Sequence, residues 1–342
     1  MTSLVYTLTE TLRYRGAVGQ WSWVMHRLTG LGVVFFVVLH IIDTSWAAFY
    51  PELYVRAIAE YQSPLFTIGE FGLVFAVVYH ALNGLRIAII DFKPEWWKYQ
   101  RRAALYVVLG TIIILVPTFW IMFGHVLRHY AENPQSLPLV DVILGQVRFV
   151  VGMIVAFVVA LILSGIYGAI AGQNTPMVRG KAVRRLETFW WSYMRISGII
   201  IVPLVFGHLA MMHLVQGVFD ITAANFGAVG AVGTGLNVTG TSVEFVADRW
   251  NTLVAGVAVW RLYDAGLLLL VVVHGFNGLR YVFTDYVRNP LVKRALVYLC
   301  VIAAVVLLVV GSAALIKSVD ETAIEMGVAA MESLHPEGEV AP

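Results

Sequence analysis

The sequence predicts an all-α integral membrane protein: seven transmembrane helices, arranged as two parallel three-helix repeats joined by one extra helix. Three observations carry this. Of the 342 residues, 59% are hydrophobic and only 13% charged, roughly half the charge content of a soluble domain. Seven apolar runs reach spanning length, at residues 23–48, 66–90, 103–127, 145–171, 194–216, 262–284 and 295–316, and a helix satisfies its own backbone in lipid. The chain also matches itself at fixed offsets, the signature of an internal repeat.

The N-terminal segment MTSLVYTLTETLRYRG is too polar for a secretory signal, so the first run, 23–48, is read as a true span. It opens on Arg27-Leu28-Thr29-Gly30 and carries His40. The second run contains Glu70 and the stretch HALNGLRIAIID from His80 to Asp91, and the third follows Arg101-Arg102. The fourth has no counterpart elsewhere and returns the chain to its starting side, where the basic linker VRGKAVRR leads into the second copy. There the fifth run opens on Arg195-Ile196-Ser197-Gly198, a shift of 168 that also places His40 on His208. The sixth carries HGFNGLRYVFTD from His274 to Asp285. A shift of 194 pairs His80, Asn83, Gly84, Arg86 and Asp91 with His274, Asn277, Gly278, Arg280 and Asp285, and Glu70 with Asp264. The seventh follows Lys293-Arg294, which a shift of 192 places on Arg101-Arg102.

Matching elements begin on the same side, so the repeat is parallel, about an axis along the membrane normal. The expected divisions are 1–130 for the first three-helix repeat and 131–190 for a linker with the extra helix. The second repeat covers 191–320 with a long outer loop at 217–261, and 321–342 is read as a polar tail.

Seventeen of the 23 lysines and arginines gather on one side: Arg13, Arg15, Arg27, Arg86, Lys93, Lys98, Arg101, Arg102, Arg179, Lys181, Arg184, Arg185, Arg195, Arg280, Arg288, Lys293 and Arg294. That side is expected to be cytoplasmic, which puts the N-terminus inside and, after seven spans, the C-terminus outside the inner (cytoplasmic) membrane. The pairs Trp96-Trp97 and Trp190-Trp191 read as interface anchors. A net charge of +2 makes no case for nucleic acid, and the glycines of GAVGAVGTG lack the strand and helix that a phosphate loop needs. The single cysteine, Cys300, excludes a disulfide within the chain and a Cys-ligated cluster.

Ionisable groups inside a span are costly and mark function. Four histidines occupy repeat-equivalent positions. His40 and His208 lie thirteen residues, about 20 Å, outward from Arg27 and Arg195, whereas His80 and His274 lie six residues, about 9 Å, from Arg86 and Arg280. Two pairs at two depths follow, each joining one histidine from each copy, as a helix bundle does when it clamps a flat cofactor from both faces. Bis-histidine haem b fits, because neutral imidazoles ligate iron and no CxxCH attachment motif is present. Arg27, Arg86, Arg195 and Arg280 could then meet the haem propionates. The structural alternative is four core histidines bonded across helices, with Asn-Gly-Leu-Arg as a packing motif. His26, at the interface, would be solvated or touch a ligand; His125, His129 and His213 read as structural, and His335 lies in the tail.

At these residues a resemblance emerges. The opening His26-Arg27-x-Thr29-Gly30 and the sequence H-x-x-x-G-L-R from His80 to Arg86, followed by Asp91-Phe92, resemble the cytochrome b anchor of succinate dehydrogenase, respiratory complex II. The second half, with His274, Thr284-Asp285-Tyr286-Val287 and the basic stretch Arg288 to Arg294, resembles its smaller companion anchor, so the chain looks like a fusion of the two. The likeness covers about 23–127 and 194–316.

It implies that His80 and His274 ligate the haem nearer an iron–sulfur subunit, with quinone close by, near Trp23, Arg27, Asp285 and Tyr286. Where the family carries a serine three residues before the opening histidine, this chain has Trp23, with Ser22 one place earlier. His40 and His208 resemble the outer ligands of the di-haem, single-chain anchors that work with menaquinone, so two haems b and menaquinone rather than ubiquinone are implied.

The expected function is a membrane anchor and cytochrome b subunit of succinate:quinone oxidoreductase, a subunit of an enzyme that is not catalytic by itself. The partners implied are the flavoprotein and iron–sulfur subunits, quinone and lipid, with a homo-oligomer of the whole complex open. Tyr286 could donate to a quinone carbonyl and Arg27 carry the charge of reduced quinone. Glu70 and Asp264, toward the outer ends of their spans, are candidates for a proton route. Two alternatives stand beside this reading: a di-haem anchor of a fumarate reductase or another membrane dehydrogenase, and a parallel-repeat transporter.

Overall fold

Each apolar run falls on a helix in the computed structural model, which describes residues 16–61, 64–132, 140, 144, 147–171, 181–212 and 239–334. In chain order the helices are α1 (Val18–Phe49), α2 (Pro51–Tyr61), α3 (Pro64–Phe92), a 3₁₀ turn (Pro94–Tyr99), α4 (Gln100–Glu132), α5 (Val147–Ala171), α6 (Lys181–Ala210), α7 (Ser242–Asn251), α8 (Val259–Tyr286), α9 (Pro290–Lys317) and α10 (Glu321–Leu334). Among the described residues six helices are long and apolar enough to cross a bilayer: Val18–Phe49, Phe66–Phe92, Pro94–Gly124, Arg185–Ala210, Val259–Tyr286 and Pro290–Lys317. The seventh expected span corresponds to α5, whose described apolar stretch, Ile154–Ile170, is shorter.

The helix starts follow local chemistry. Asn289 caps α9 by accepting from the backbone N–H groups of Leu291 and Val292, with Pro290 at the first helical position where no N–H is needed. Thr241 caps α7 through the N–H of Glu244 at 3.1 Å, and Asp320 caps α10 through that of Ala323 at 2.9 Å.

The first copy is α1, α3 and α4; the second is α6, α8 and α9. Helix α1 packs on both α3 and α8, and α6 packs on the same two, so the four close into a ring. In that ring α1 is diagonal to α6 and α3 is diagonal to α8. Helix α4 flanks α3, α9 flanks α8 and α1, and α5 lies on α9. The α5–α9 seam is fixed by Ser164, fully buried, whose hydroxyl donates to the Leu291 carbonyl at 2.6 Å. On the far side of α4, Tyr106, Ile113, Trp120 and Leu127 recur every seventh residue and are exposed, a stripe suited to lipid.

Two cores hold the ends together. In the bundle, Val272, Phe276, Cys300 and Leu307 pack with Val34, Val37 and Ile41. At the end away from Arg27, helices α2, α7 and α10 form a cap whose core includes Ala47, Tyr54, Val55, Val243, Trp250, Leu315 and Ala323. Gly327 permits a close crossing of α10 on α7, since a Cβ there would sit 2.9 Å from Val243 Cγ2.

The part of the 217–261 segment that is described, from residue 239 on, includes α7 at the end of the bundle away from Arg27; 217–238 lies outside the described residues. One expectation is corrected. Residues 321–342 are not simply a polar tail, because 321–334 form α10. Its buried Ala323, Gly327 and Ala330 recur at helical spacing and face the cap, while its acids face outward. His213, His335 and the side chains of His125 and His129 lie outside the described residues.

Candidate functional site

The ring geometry brings the four histidines together in pairs. His80 on α3 and His274 on α8 share one diagonal; His40 on α1 and His208 on α6 share the other. Each copy supplies one member of each pair.

The inner pair is held at Nδ1. His80 Nδ1 lies 3.0 Å from the His26 carbonyl oxygen, which can only accept, so Nδ1 carries the proton and Nε2 a lone pair. His274 reaches the same state by another route. Ser197 spends its only hydrogen on the Tyr193 carbonyl at 2.6 Å, so its oxygen must accept from His274 Nδ1 at 2.9 Å. Both rings are therefore in the tautomer that leaves Nε2 for a metal, with the far nitrogen anchored as ligating histidines require. The repeat-equivalent glycines sit against these rings: a Cβ on Gly30 would meet His80 Cε1 at 2.8 Å, and one on Gly198 would meet His274 Cε1 at 3.4 Å.

His26 belongs to this inner group. Its ring stacks on His80 with centroids 4.0 Å apart and planes 8° from parallel, and its buried Nδ1 has no hydrogen-bond partner among the described residues. Its place is made by Gly84, where a Cβ would stand 3.3 Å from His26 Cε1. At the equivalent position of the second copy Met194 lies over Gly278, so the repeat is broken at this point.

The outer pair meets directly. The His40 and His208 rings lie 6.2 Å apart, centroid to centroid, at 82°. Two imidazoles on opposite sides of a metal, each about 2 Å from it and with its centroid about 1 Å further back, give a separation of roughly 6 Å. The spacing therefore leaves room for a metal ion that the two rings could hold.

Beyond the inner histidines, at the rim, the two copies exchange ion pairs. Arg27 of the first copy bonds Asp285 of the second. Arg195 of the second bonds Asp91 of the first, at 2.8 and 2.9 Å. Each arginine also covers a tryptophan one turn back, Arg27 at 3.9 Å from the Trp23 ring centre and Arg195 at 4.2 Å from that of Trp191. Arg27 lies 5.6 Å from the Tyr286 ring as well. Trp23, Arg27, Asp285 and Tyr286, separated by up to 263 positions in sequence, thus converge on one partly exposed patch.

The other two inner arginines have protein partners too. Arg86 donates to Ser22 at 2.9 Å, Ser22 donates to Asn83 at 2.7 Å, and Asn83 donates back to the Ser22 carbonyl at 3.2 Å. The serine displaced to position 22 is thus the hinge of the first copy's Asn-Gly-Leu-Arg motif, a role that the sequence reading missed. In the second copy Arg280 bonds Asn277 directly at 3.0 Å and grips Glu187 at 3.1 and 3.3 Å. At the outer end, Asp264 is held by Arg249 and Trp250 of α7 and lies 3.6 Å from His208 Nδ1. Its counterpart Glu70 has no ion pair among the described residues.

Comparison with known proteins gives the chain a family. A family model described as "Succinate dehydrogenase/Fumarate reductase transmembrane subunit" matches residues 8–119 and 171–310, one block per repeat, leaving α5 largely between them. The "Succinate dehydrogenase 2 membrane subunit SdhC" of Mycobacterium tuberculosis is 37% identical over 117 residues, 34% of this chain and 86% of that protein. The "Succinate dehydrogenase hydrophobic membrane anchor subunit" of Halobacterium salinarum is 28% identical over 106 residues, 30% of this chain and 82% of that protein. No solved structure matches with significance. With two blocks of the family pattern on the two three-helix copies, the chain belongs to the succinate dehydrogenase/fumarate reductase transmembrane subunit family.

Proposed function

We propose that this chain is a di-haem cytochrome b anchor of succinate:quinone oxidoreductase, two three-helix anchors fused into one polypeptide. It carries electrons from an iron–sulfur subunit to membrane quinone, menaquinone on the resemblance of its outer histidines. The observation that supports it best is the diagonal pairing of the four histidines, with the outer rings 6.2 Å apart and the inner ones anchored through Nδ1. His80 and His274 would hold one haem b, His40 and His208 the other. Bound there, haem would supply reversible one-electron exchange. The buried, unpartnered Nδ1 of His26 adds a donor or acceptor beside the inner site.

The residues of the rim do the rest. Asp285 fixes the Arg27 guanidinium between two aromatic rings, where it can bind a quinone oxygen and stabilise negative charge on it. Tyr286 offers a hydroxyl from the same patch, and Trp23 a flat apolar face. Arg86, Arg195 and Arg280 lie at the same end and could turn to propionates, at the cost of the protein bonds they now make.

Seven spans with the N-terminus in the cytoplasm and the C-terminus outside follow if α5 crosses the inner membrane, and the basic rim then faces the flavoprotein and iron–sulfur partners. Family membership favours an anchor over a transporter, while fumarate reduction remains the same machine run in the opposite direction. Pyridine haemochrome quantitation on the purified chain tests the reading. Two haems per chain are expected, one would remove His40 and His208, and none would overturn it. Reduction of that haem by succinate in the assembled complex, seen in difference spectra, separates a succinate-linked anchor from that of another dehydrogenase.

A further inference from the structure

Outside the inner site, a hydrogen-bonded polar cluster lies where the outer cap meets the bundle. Asp264 of α8 receives Arg249 Nη2 on Oδ1 at 2.8 Å, and Arg249 Nε and Trp250 Nε1 on Oδ2 at 3.0 and 3.2 Å. That leaves the fewer donors on Oδ1, and it is Oδ1 that stands 3.6 Å from His208 Nδ1. His208 Nδ1 is buried and has no hydrogen bond among the described residues.

Arg249 is itself 3% exposed. A guanidinium buried this deeply survives only with a partner, and here the partner is shared with a histidine. The cap delivers it: α7 is tied down through the Thr241 cap, and Trp250 is part of the cap core.

We propose that Asp264 is the positioning carboxylate of His208, and that Arg249 and Trp250 hold it there, so that the outer cap sets the electrostatic environment of the outer histidine pair. This rests on the reading that His40 and His208 hold a second haem. If His208 holds iron, a carboxylate facing its Nδ1–H would raise the basicity of the ligand and would favour the more positive, oxidised iron. On the other ring of the pair, His40 stacks on Phe36 at 5.2 Å.

Redox titration of the haem-loaded chain, followed optically, tests the proposal. Asp264→Asn keeps the shape and loses the charge. The expected result is two haems, with the midpoint of one raised by the equivalent of about tenfold in its equilibrium constant, about 59 mV for one electron, and the other unmoved. Two haems with both midpoints unchanged would overturn the proposal and leave the two-haem reading intact. A wild-type chain with fewer than two haems would remove the reading and the proposal together. If Asp264→Asn fails to load, Trp250→Phe decides. It removes one donor from Asp264 and leaves the charge, so the same midpoint should fall, and an unmoved midpoint in that variant rejects the idea.

Discussion

Arg195 of the second copy closes on Asp91 of the first at 2.8 Å, and the equivalent pair, Arg27 with Asp285, closes in the reverse direction. Each copy therefore completes the rim of the other, which is how two subunits would interlock about a two-fold axis. Arg195 and Asp91 are about three-quarters buried, whereas Asp285 is half exposed, and exposed pairs are worth little. Asp91→Asn should therefore destabilise the chain by about 1 kcal/mol and Asp285→Asn by less. Thermal unfolding in detergent, as a double-mutant cycle with Arg195→Gln, measures the coupling, and the same loss from both aspartates would contradict the asymmetry.

Much of this site was legible in the sequence, and the limits have physical causes. A repeat in register gives away which histidines are equivalent, because side chains inside a span repeat only under constraint. It cannot say whether Arg27 closes on its own copy's Asp91 or on Asp285, since both lie at the same depth. His26 reads as interfacial because it precedes Arg27, yet Gly84 opens space for its ring in the core. The outer cap is the least legible part. Its helices α2, α7 and α10 are short, 11, 10 and 14 residues, below the length that marks a span.

The glycines of the opening motif should not be equivalent. A methyl group at Gly30 would lie 2.8 Å from His80 Cε1, and that ring cannot retreat, being bonded to the His26 carbonyl and stacked on the His26 ring. At Gly198 the distance is an ordinary 3.4 Å. Replacing a mid-helix glycine by alanine gains up to about 1 kcal/mol, while overpacking costs about 1–3 kcal/mol. Gly30→Ala should lose stability and inner haem; Gly198→Ala should be neutral or better. Haem content and melting temperature of the two variants check this.

Ser197→Ala removes the acceptor of His274 Nδ1–H. A buried donor left unpaired costs about 1–3 kcal/mol, and the ring gains freedom to turn. The variant should show a perturbed low-spin haem signal by electron paramagnetic resonance. Ser197→Thr should restore it, because its repeat counterpart Thr29 makes the same backbone bond, to the Met25 carbonyl at 2.7 Å. An unchanged signal in the alanine variant would mean that the serine does not orient the ring.

Asp248 in the outer cap gives a pH dependence. Burial first, and the neighbouring Glu244 second, raise its carboxyl from 3.8 to about 7, and its buried Oδ2 has no hydrogen bond among the described residues. Between these values the folded chain binds the proton more tightly than the unfolded one. Its contribution to stability is therefore complete below about pH 4 and is lost as the pH rises through about 7. Asp248→Asn should flatten that slope and stabilise the chain at pH 8 relative to wild type. Melting temperatures at pH 5 and pH 8 decide it.

The pseudo-symmetry of the rim makes a final prediction about quinone. Two patches share a tryptophan, an arginine and an aspartate: Trp23, Arg27 and Asp285 on one side, Trp191, Arg195 and Asp91 on the other. They differ at the residue after the aspartate, which is Tyr286 in one and Phe92 in the other. If only a hydroxyl distinguishes a quinone site from its copy, Tyr286→Phe should raise the KM for quinone by roughly tenfold, about what one hydrogen bond of 1.4 kcal/mol supplies. Phe92→Tyr should change nothing at the Tyr286 patch. Both residues are exposed, so neither change threatens the fold, and a kinetic effect can be read as binding. Equal effects from the two variants would show that quinone does not distinguish the patches, and a KM unmoved by Tyr286→Phe would remove the hydroxyl from the site.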